Sequence, residues 1–253
     1  MFVFVVPVMS SKVANSWEKV SQLFERCIRS ICQQTSNNFR VIVVCHDKPL
    51  IKFTHPNVVY IKVNLKIPKS TQEKRLDKGH KVLKGLRFAA KFNPDYTMNV
   101  DADDCISKHL VKFIEDRPKC NGWIIKKGHF YKEGARWSYL CRNFDNICGT
   151  CNIINYQLYD LSNNLENQQD YIISEFYGDH KLIKRKMLSK GIKFHDLPFF
   201  GAIYTLDNGE NFYNPSFSKF VPKEYFNYLK SLKNYRVLTS SMQQEFGLYP
   251  LKS

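Results

Sequence analysis

"YTMNVDADDC", residues 96–105, ends a run of strand-forming residues on three carboxylates in four positions, Asp101, Asp103 and Asp104. Like charges packed that closely repel one another and disfavour a strand. The segment therefore needs either a solvated turn, with an Asp capping the next helix, or a cation that neutralises the cluster. What lies upstream bears on the choice.

Residues 2–8, "FVFVVPV", have the apolar character of a buried strand. Residues 16–34 follow with Trp17, Val20, Leu23, Cys27, Ile28 and Ile31 at helical spacing. "RVIVVCH" (40–46) is a continuous β-branched run of the kind found in buried parallel strands, and "VVYIKV" (58–63) predicts a third strand. A basic helix is expected over 71–92, then the strand that leads into the aspartates. Strand and helix in alternation predict an α/β fold, a parallel sheet covered by helices. Ligands of such sheets sit at the carboxyl ends of the strands. The aspartate cluster falls at one such end and Asp47 at another.

The basic helix strengthens the cation reading. Lys74, Lys78 and Lys81 stand at i, i+4 and i+7 and share one face, while Leu76, Leu83 and Ala90 would face the core. Cations beside a carboxylate turn suit a nucleotide diphosphate held with a hard divalent ion. A solvated basic face is the plainer alternative.

Beyond residue 106 the pattern loosens. "LVKFIEDRP" predicts a short helix and "GWIIKKG" a strand, and the chain to about residue 164 is mixed and loop-rich. Residues 178–191 predict a helix that opens on an acid and stops at Gly191. From about residue 211 lysines alternate with Phe and Tyr. The expected organisation is one catalytic domain over 1–210, with halves 1–107 and 108–210, and a basic, aromatic extension over 211–253 packed on it.

The bulk numbers set limits. The formal charge of +15 over 253 residues calls for an anionic partner. No run approaches the roughly 20 apolar residues of a membrane span. "MFVFVVPVMSS" lacks a basic start and carries Pro7, so it fits a first strand better than a signal peptide. Eight cysteines without a small-domain spacing point to free thiols in a reducing cytosol. The expected location is cytoplasmic, at most peripheral to the inner face of a membrane.

"VPVMS", "CIRSICQQTSNNFRVIVVCHDKP" and "MNVDADD" together resemble the nucleotide-binding half of GT-A fold glycosyltransferases of the inverting family 2 type. The resemblance covers most of residues 2–107. It implies a mixed, mostly parallel sheet flanked by helices. It also implies a metal-dependent transfer of sugar from a nucleotide-diphosphate donor, a UDP-sugar favoured, to the hydroxyl of a carbohydrate or lipid-linked acceptor. By position, Pro7, Val8 and Ser10 would line the nucleoside pocket and Asp47 would meet the base. Asp101 and Ala102 would lie by the donor, with Lys74, Lys78 and Lys81 near its phosphates. Mn²⁺ or Mg²⁺ would fall to Asp101, Asp103 and Asp104.

The second half is similar to the family more loosely. "YGDHKLIKRKMLSKGIKFHDLP" has the shape of its acid-opened helix, with Gly178 where a Glu is usual. Asp179 is then the candidate base for the acceptor hydroxyl, with Glu175 in reserve and a plain helix cap as the alternative. Gly149 and Asn152 fall where the family lines the donor-sugar pocket. His195 could be a further metal ligand or a pyrophosphate contact, with a structural residue as the plainer alternative. The lone Cys148–Cys151 pair lacks the second pair of a zinc site.

Rival classes account for fewer of these features. A phosphohydrolase would carry its aspartates after the first strand, and a nucleotidylyltransferase would want glycines in "PVMSSKVANS", which has none. A single-stranded nucleic-acid-binding protein would use the tail's cations and aromatics but leave the aspartates unexplained. A metal-dependent nuclease would use both.

Overall fold

The computed structural model describes residues 1–159, 161, 170–211 and 232–251, the side chains of 171 and 172 excepted. The first half runs β1 (Phe2–Pro7), α1 (Trp17–Cys32), β2 (Phe39–Cys45), β3 (Val58–Lys62), α2 (Thr71–Ala89) and β4 (Tyr96–Asn99). Next come β5 (Cys105–Ile106), α3 (Leu110–Glu115), β6 (Gly122–Ile124), β7 (Gly128–Lys132), β8 (Trp137–Cys141) and β9 (Asn152–Asn155). The described remainder is α4 (Asp170–Gly178), α5 (His180–Ser189), β10 (His195–Asp196), β11 (Ala202–Leu206), β12 (Tyr235–Val237) and α6 (Ser240–Phe246).

β1 is buried along its whole length because both faces of its sheet are covered. Phe2, Phe4 and Val6 point to one side and share a core with Val20, Phe24, Cys27, Ile28 and Ile31 of α1. Val3 and Val5 point to the other and meet Val82, Leu86 and Ala89 of α2. Alternation along a strand thus divides two helices between two faces. Each fully buried Leu, Ile or Phe there stabilises by about 1.5–3 kcal/mol. Ser16 caps α1, its hydroxyl accepting from the Lys19 amide at 3.2 Å.

The main sheet has seven strands in the order β10-β6-β9-β4-β1-β2-β3. β1 lies parallel to β2 and β4, and β2 to β3. β9 is antiparallel to both β4 and β6. This is the mixed, mostly parallel, helix-flanked sheet that the resemblance implies. A second, five-stranded sheet, β12-β8-β7-β11-β5, was not expected. Its strands β7 and β8 fall in the stretch that the sequence shows only as mixed.

Two helices differ from expectation. α2 ends at Ala89 and passes into a 3₁₀ turn, Ala90–Phe92, because Asn93 precedes Pro94 and takes a left-handed φ of 46°. Ala90 is exposed. Leu76 and Leu83 pack against Ile173 of α4 rather than on the sheet. The helix expected over 178–191 is α5 alone, and α4 precedes it across a break at Asp179. Gly191, at φ 77°, ends the segment as expected. Of the 211–253 extension, residues 212–231 lie outside the described residues, with most of its aromatics and lysines. Past them, β12 pairs with β8, and Phe246 and Leu248 pack with Tyr131 and Ile203. No helix among the described residues is long and apolar enough to cross a membrane.

Candidate active site

β1 and β4 are neighbours, yet the chain leaves β1 toward β2 on one side while β4 lies on the other. Such a switch point opens a crevice at the carboxyl ends of the strands. A cleft of about 550 Å³ occupies it, within the range of small-molecule sites. Its floor is Pro7, Val8 and Met9 after β1 and Asp101, Ala102 and Asp103 after β4. α2 gives one wall, with Lys74, Arg75, Asp77, Lys78 and Lys81, and residues 178–181 give another. Gly149, Tyr204, Glu210 and Asn211 close it from the side of the second sheet.

The three aspartates are not equivalent. The Asp101 amide donates to Thr150 Oγ1 at 2.9 Å, and its carbonyl accepts from the Asp104 amide at 3.0 Å. This tight turn aims the Asp101 carboxylate at Lys78, with Oδ1 2.5 Å from Nζ. Burial works against the Lys78 ammonium, but the charge and hydrogen bond of Asp101 outweigh it and hold the pKa above the ordinary value. Asp103 Oδ2 accepts from the side-chain amides of Asn208 at 2.8 Å and Asn211 at 3.2 Å. Burial, then repulsion from Asp101, pushes the Asp103 pKa up to about 6.

Asp104 does not reach the cleft, which corrects its expected role as a metal ligand. It is 0% exposed. Oδ2 accepts from the Thr150 hydroxyl at 2.5 Å and the Cys148 thiol at 3.1 Å, while Oδ1 takes the Thr205 amide at 3.4 Å. Its pKa lies well above the ordinary value, chiefly through burial. His195 is corrected likewise. It sits exposed on β10, three places from β4 in the sheet and against Trp123, outside the cleft wall.

Other expected residues divide between the wall and its support. Lys74, Lys78 and Lys81 all line the cleft. The Lys74 ammonium has no ion-pair or hydrogen-bond partner among the described residues. Lys81 is 1% exposed, and its ammonium is spent on Asp77 at 2.6 Å and the Val8 carbonyl at 2.8 Å. Ser10 and Asp47 stand behind the floor. Asp47 Oδ2 accepts from the Ser11 hydroxyl at 2.7 Å and the Ser11 amide at 3.2 Å. Those bonds, the hydroxyl's first, hold the Asp47 pKa below the ordinary value. Asn152 also stands back, its amide donating to the His180 carbonyl at 2.9 Å and so fixing the α4–α5 break. Gly149 is in the wall, and a Cβ there would lie 2.5 Å from Asp101 Oδ2.

Asp179 lines the cleft in extended backbone and caps α5, with Oδ1 accepting from the Lys181 amide at 2.8 Å. Oδ2 lies 3.8 Å from Arg75 Nη1. Glu175 is not in the wall. At Gly178 a Cβ would lie 2.5 Å from the Arg75 carbonyl oxygen, so the α4–α5 break leaves no room for a side chain there.

Several contributors escaped sequence reasoning. His180 lines the cleft, and its pKa falls to about 4 through burial and then the charge of Lys78, so the ring is neutral. Glu210 ties the loop after β11 to the start of α1 by accepting from the Asn15 and Ser16 amides at 2.9 and 2.7 Å. Arg26 is fully buried on α1, pairing with Glu133 at 2.8 Å and donating to Thr205 Oγ1 at 3.3 Å. Thr205 in turn donates to the Asp103 carbonyl at 2.9 Å. "DNGEN" (207–211) carries a turn signal that could have marked this loop.

Asp101 and Asp103 are the cleft carboxylates of the β4 turn that would hold a divalent ion. No group of three or more His, Cys, Asp or Glu side chains among the described residues is placed to hold a metal. Mg²⁺, however, is commonly bound by one or two carboxylates completed by substrate phosphates and water. Two repelling carboxylates, one with its pKa raised, supply that partial set.

No family model matches the chain, and no curated protein does. Among solved structures it is similar to S. aureus TarS 1-349, with TM-score 0.48, 13% identity, and coverage of 81% of this chain and 60% of that one. The same protein in complex with UDP gives 0.49, 14%, 81% and 60%. In complex with UDP-GlcNAc it gives 0.47, 13%, 85% and 61%. The chain thus spans about 60% of the length of these structures.

Proposed function

We propose that the chain transfers a sugar from a nucleotide-diphosphate donor to an acceptor hydroxyl. The observation that carries this is the convergence in one cleft of a carboxylate pair, unspent or exchangeable cations on α2, and a further carboxylate on the opposite wall. Asp101 and Asp103 would hold Mn²⁺ or Mg²⁺, which would offset charge on the departing diphosphate. Lys74 faces that diphosphate, and Lys78 exchanges Asp101 for it. Pro7, Val8 and Met9 form the apolar floor under the nucleoside.

Across the cleft Asp179 takes the proton of the acceptor hydroxyl. With Oδ1 committed to the Lys181 amide, Oδ2 is the accepting atom. The acceptor oxygen bonds to the anomeric carbon as the bond to diphosphate breaks, its electrons leaving with the diphosphate. Attack opposite the leaving group inverts the centre, as the family resemblance implies. A UDP-sugar is the favoured donor on the same ground, and a carbohydrate or lipid-linked hydroxyl the favoured acceptor.

The test is a thermal-shift panel of UDP, GDP, CDP and dTDP, each with Mn²⁺, Mg²⁺ or EDTA, on wild type and Asp103→Asn. A nucleotide at a hundredfold over Kd adds about 2.7 kcal/mol, or roughly 5–10 °C for a chain of this size. A metal-dependent rise with one nucleotide, lost in Asp103→Asn, is expected. No rise with any of them rejects the donor site and favours the nucleic-acid reading.

A further inference from the structure

α5 carries a charge pattern that the cleft does not use up. From residue 180 to 195 the sequence has six Lys or Arg and no acid. Two of the six are engaged inward, Lys184 on Asp145 and Lys186 over the Phe176 ring. Lys181, Arg185, Lys190 and Lys193 are exposed, and none has an acid partner among the described residues. Residues 181, 185 and 188 stand at i, i+4 and i+7 and form one stripe; Lys190, the C-cap, and Lys193 follow at the exposed C-terminal end of the helix. Leu188 lies among these cations 51% exposed, while Ile183 and Met187 on the inner side are buried in the core. The stripe starts at the cleft, since Lys181 is part of its wall.

We propose that this outer face of α5 docks on a membrane surface rich in anionic lipid head groups. Charge complementarity carries the argument: four exposed cations without acid partners, two on the stripe and two at its C-terminal end, give this part of the surface a positive potential that an anionic surface matches. Leu188 favours a bilayer over a nucleic acid. An aliphatic side chain among cations can enter the head-group boundary, whereas single-stranded nucleic acid is held by stacking on aromatic rings. Docking sets the cleft mouth against the head groups, where a lipid-linked acceptor presents its hydroxyl; that last step rests on the transferase reading above.

The experiment is flotation of the full chain with vesicles of phosphatidylcholine, with and without phosphatidylglycerol, across a salt series. The variant is Arg185→Gln/Lys190→Gln/Lys193→Gln, which spares Lys181 because it lines the cleft. Each cation near an anionic surface contributes roughly fivefold in affinity, so the variant should bind on the order of a hundredfold more weakly. Wild type should bind only the anionic vesicles, and less as salt rises. Equal binding by wild type and variant overturns the proposal, as does binding of soluble polyphosphate without binding of vesicles. No nucleotide is present, so failure here leaves the donor site to its own test, and a normal thermal midpoint of the variant shows that its fold is intact.

Discussion

Gly149→Ala tests the core of the site with one methyl group. Its Cβ would sit 2.5 Å from Asp101 Oδ2 and 3.2 Å from Lys78 Nζ, where ordinary contact begins at 3.4 Å. The carboxylate must withdraw by roughly an ångström, 3.4 less 2.5. Its backbone cannot follow, because the amide is held by Thr150 and the carbonyl by the Asp104 amide. The side chain must therefore leave its rotamer, at about 0.5–1.5 kcal/mol, and loosen a partly exposed ion pair worth about 0–1 kcal/mol. Together these predict a loss of about 0.5–2.5 kcal/mol, or roughly 1–10 °C in Tm. Nucleotide affinity should suffer more, about tenfold or beyond, because a misplaced charged hydrogen bond costs about 1.5–3 kcal/mol. Urea unfolding and calorimetric titration would be run on wild type, Gly149→Ala, Asp101→Ala and the double variant. With the carboxylate removed the new methyl has room, so its stability cost should shrink to within about 0.5 kcal/mol of zero. An equal cost in both backgrounds would show that the obstacle is not the carboxylate, and the reasoning fails.

Three further predictions follow the same contacts. Asp103 has a folded pKa of about 6 against an ordinary 3.8, so its contribution to stability is complete below pH 4 and is lost as pH rises through 6. Asp103→Asn should flatten urea-derived stability across that window, and an unchanged slope would place the titration elsewhere. Thr150→Val removes both the donor to Asp104 and the acceptor for the Asp101 amide. It should cost about 2–3 kcal/mol in urea unfolding, with Thr150→Ser keeping most of it. Gly178→Ala forces a Cβ against the Arg75 carbonyl, which as backbone cannot turn aside. It should cost about 1–3 kcal/mol by overpacking, and a neutral result in thermal denaturation would show that α4 shifts freely on α2.

The legible parts of this molecule are those governed by short-range periodicity. β1 and β2 are visible because strands buried on both faces are apolar without interruption. α1 is visible because its buried positions recur at 3.6 residues. The second sheet was hidden because β7 and β8, "GHFYK" and "WSYLC", mix polar and apolar residues without clean alternation. Lys81 lines the cleft, but its ammonium is spent on Asp77 and the Val8 carbonyl rather than left for a phosphate. The clue to its burial is local, an Asp four residues earlier on the same helix face. The α4–α5 break was half legible, since Asp179 reads as a helix start, but α4 lies in a stretch without clear punctuation.

The aspartate turn shows where such reading stops. Which of two adjacent acids faces the ligand depends on side chains far along the chain. Asp104 is turned inward by Thr150 and Thr205, 46 and 101 residues away, and Asp103 is held at the cleft by Asn208 and Asn211, 105 and 108 residues away. The spacing of "DADD" shows that a carboxylate cluster ends β4, but not how its members divide. The division has a physical reason. A lone buried carboxyl is tolerable when hydroxyl, thiol and amide donors satisfy it, and that satisfied group stiffens the turn. The stiff turn can then hold Asp101 and Asp103 close together despite their repulsion, leaving a local excess of negative charge that Lys78 only partly offsets. The buried acid thus serves the site by keeping Asp101 and Asp103 in place at the cleft.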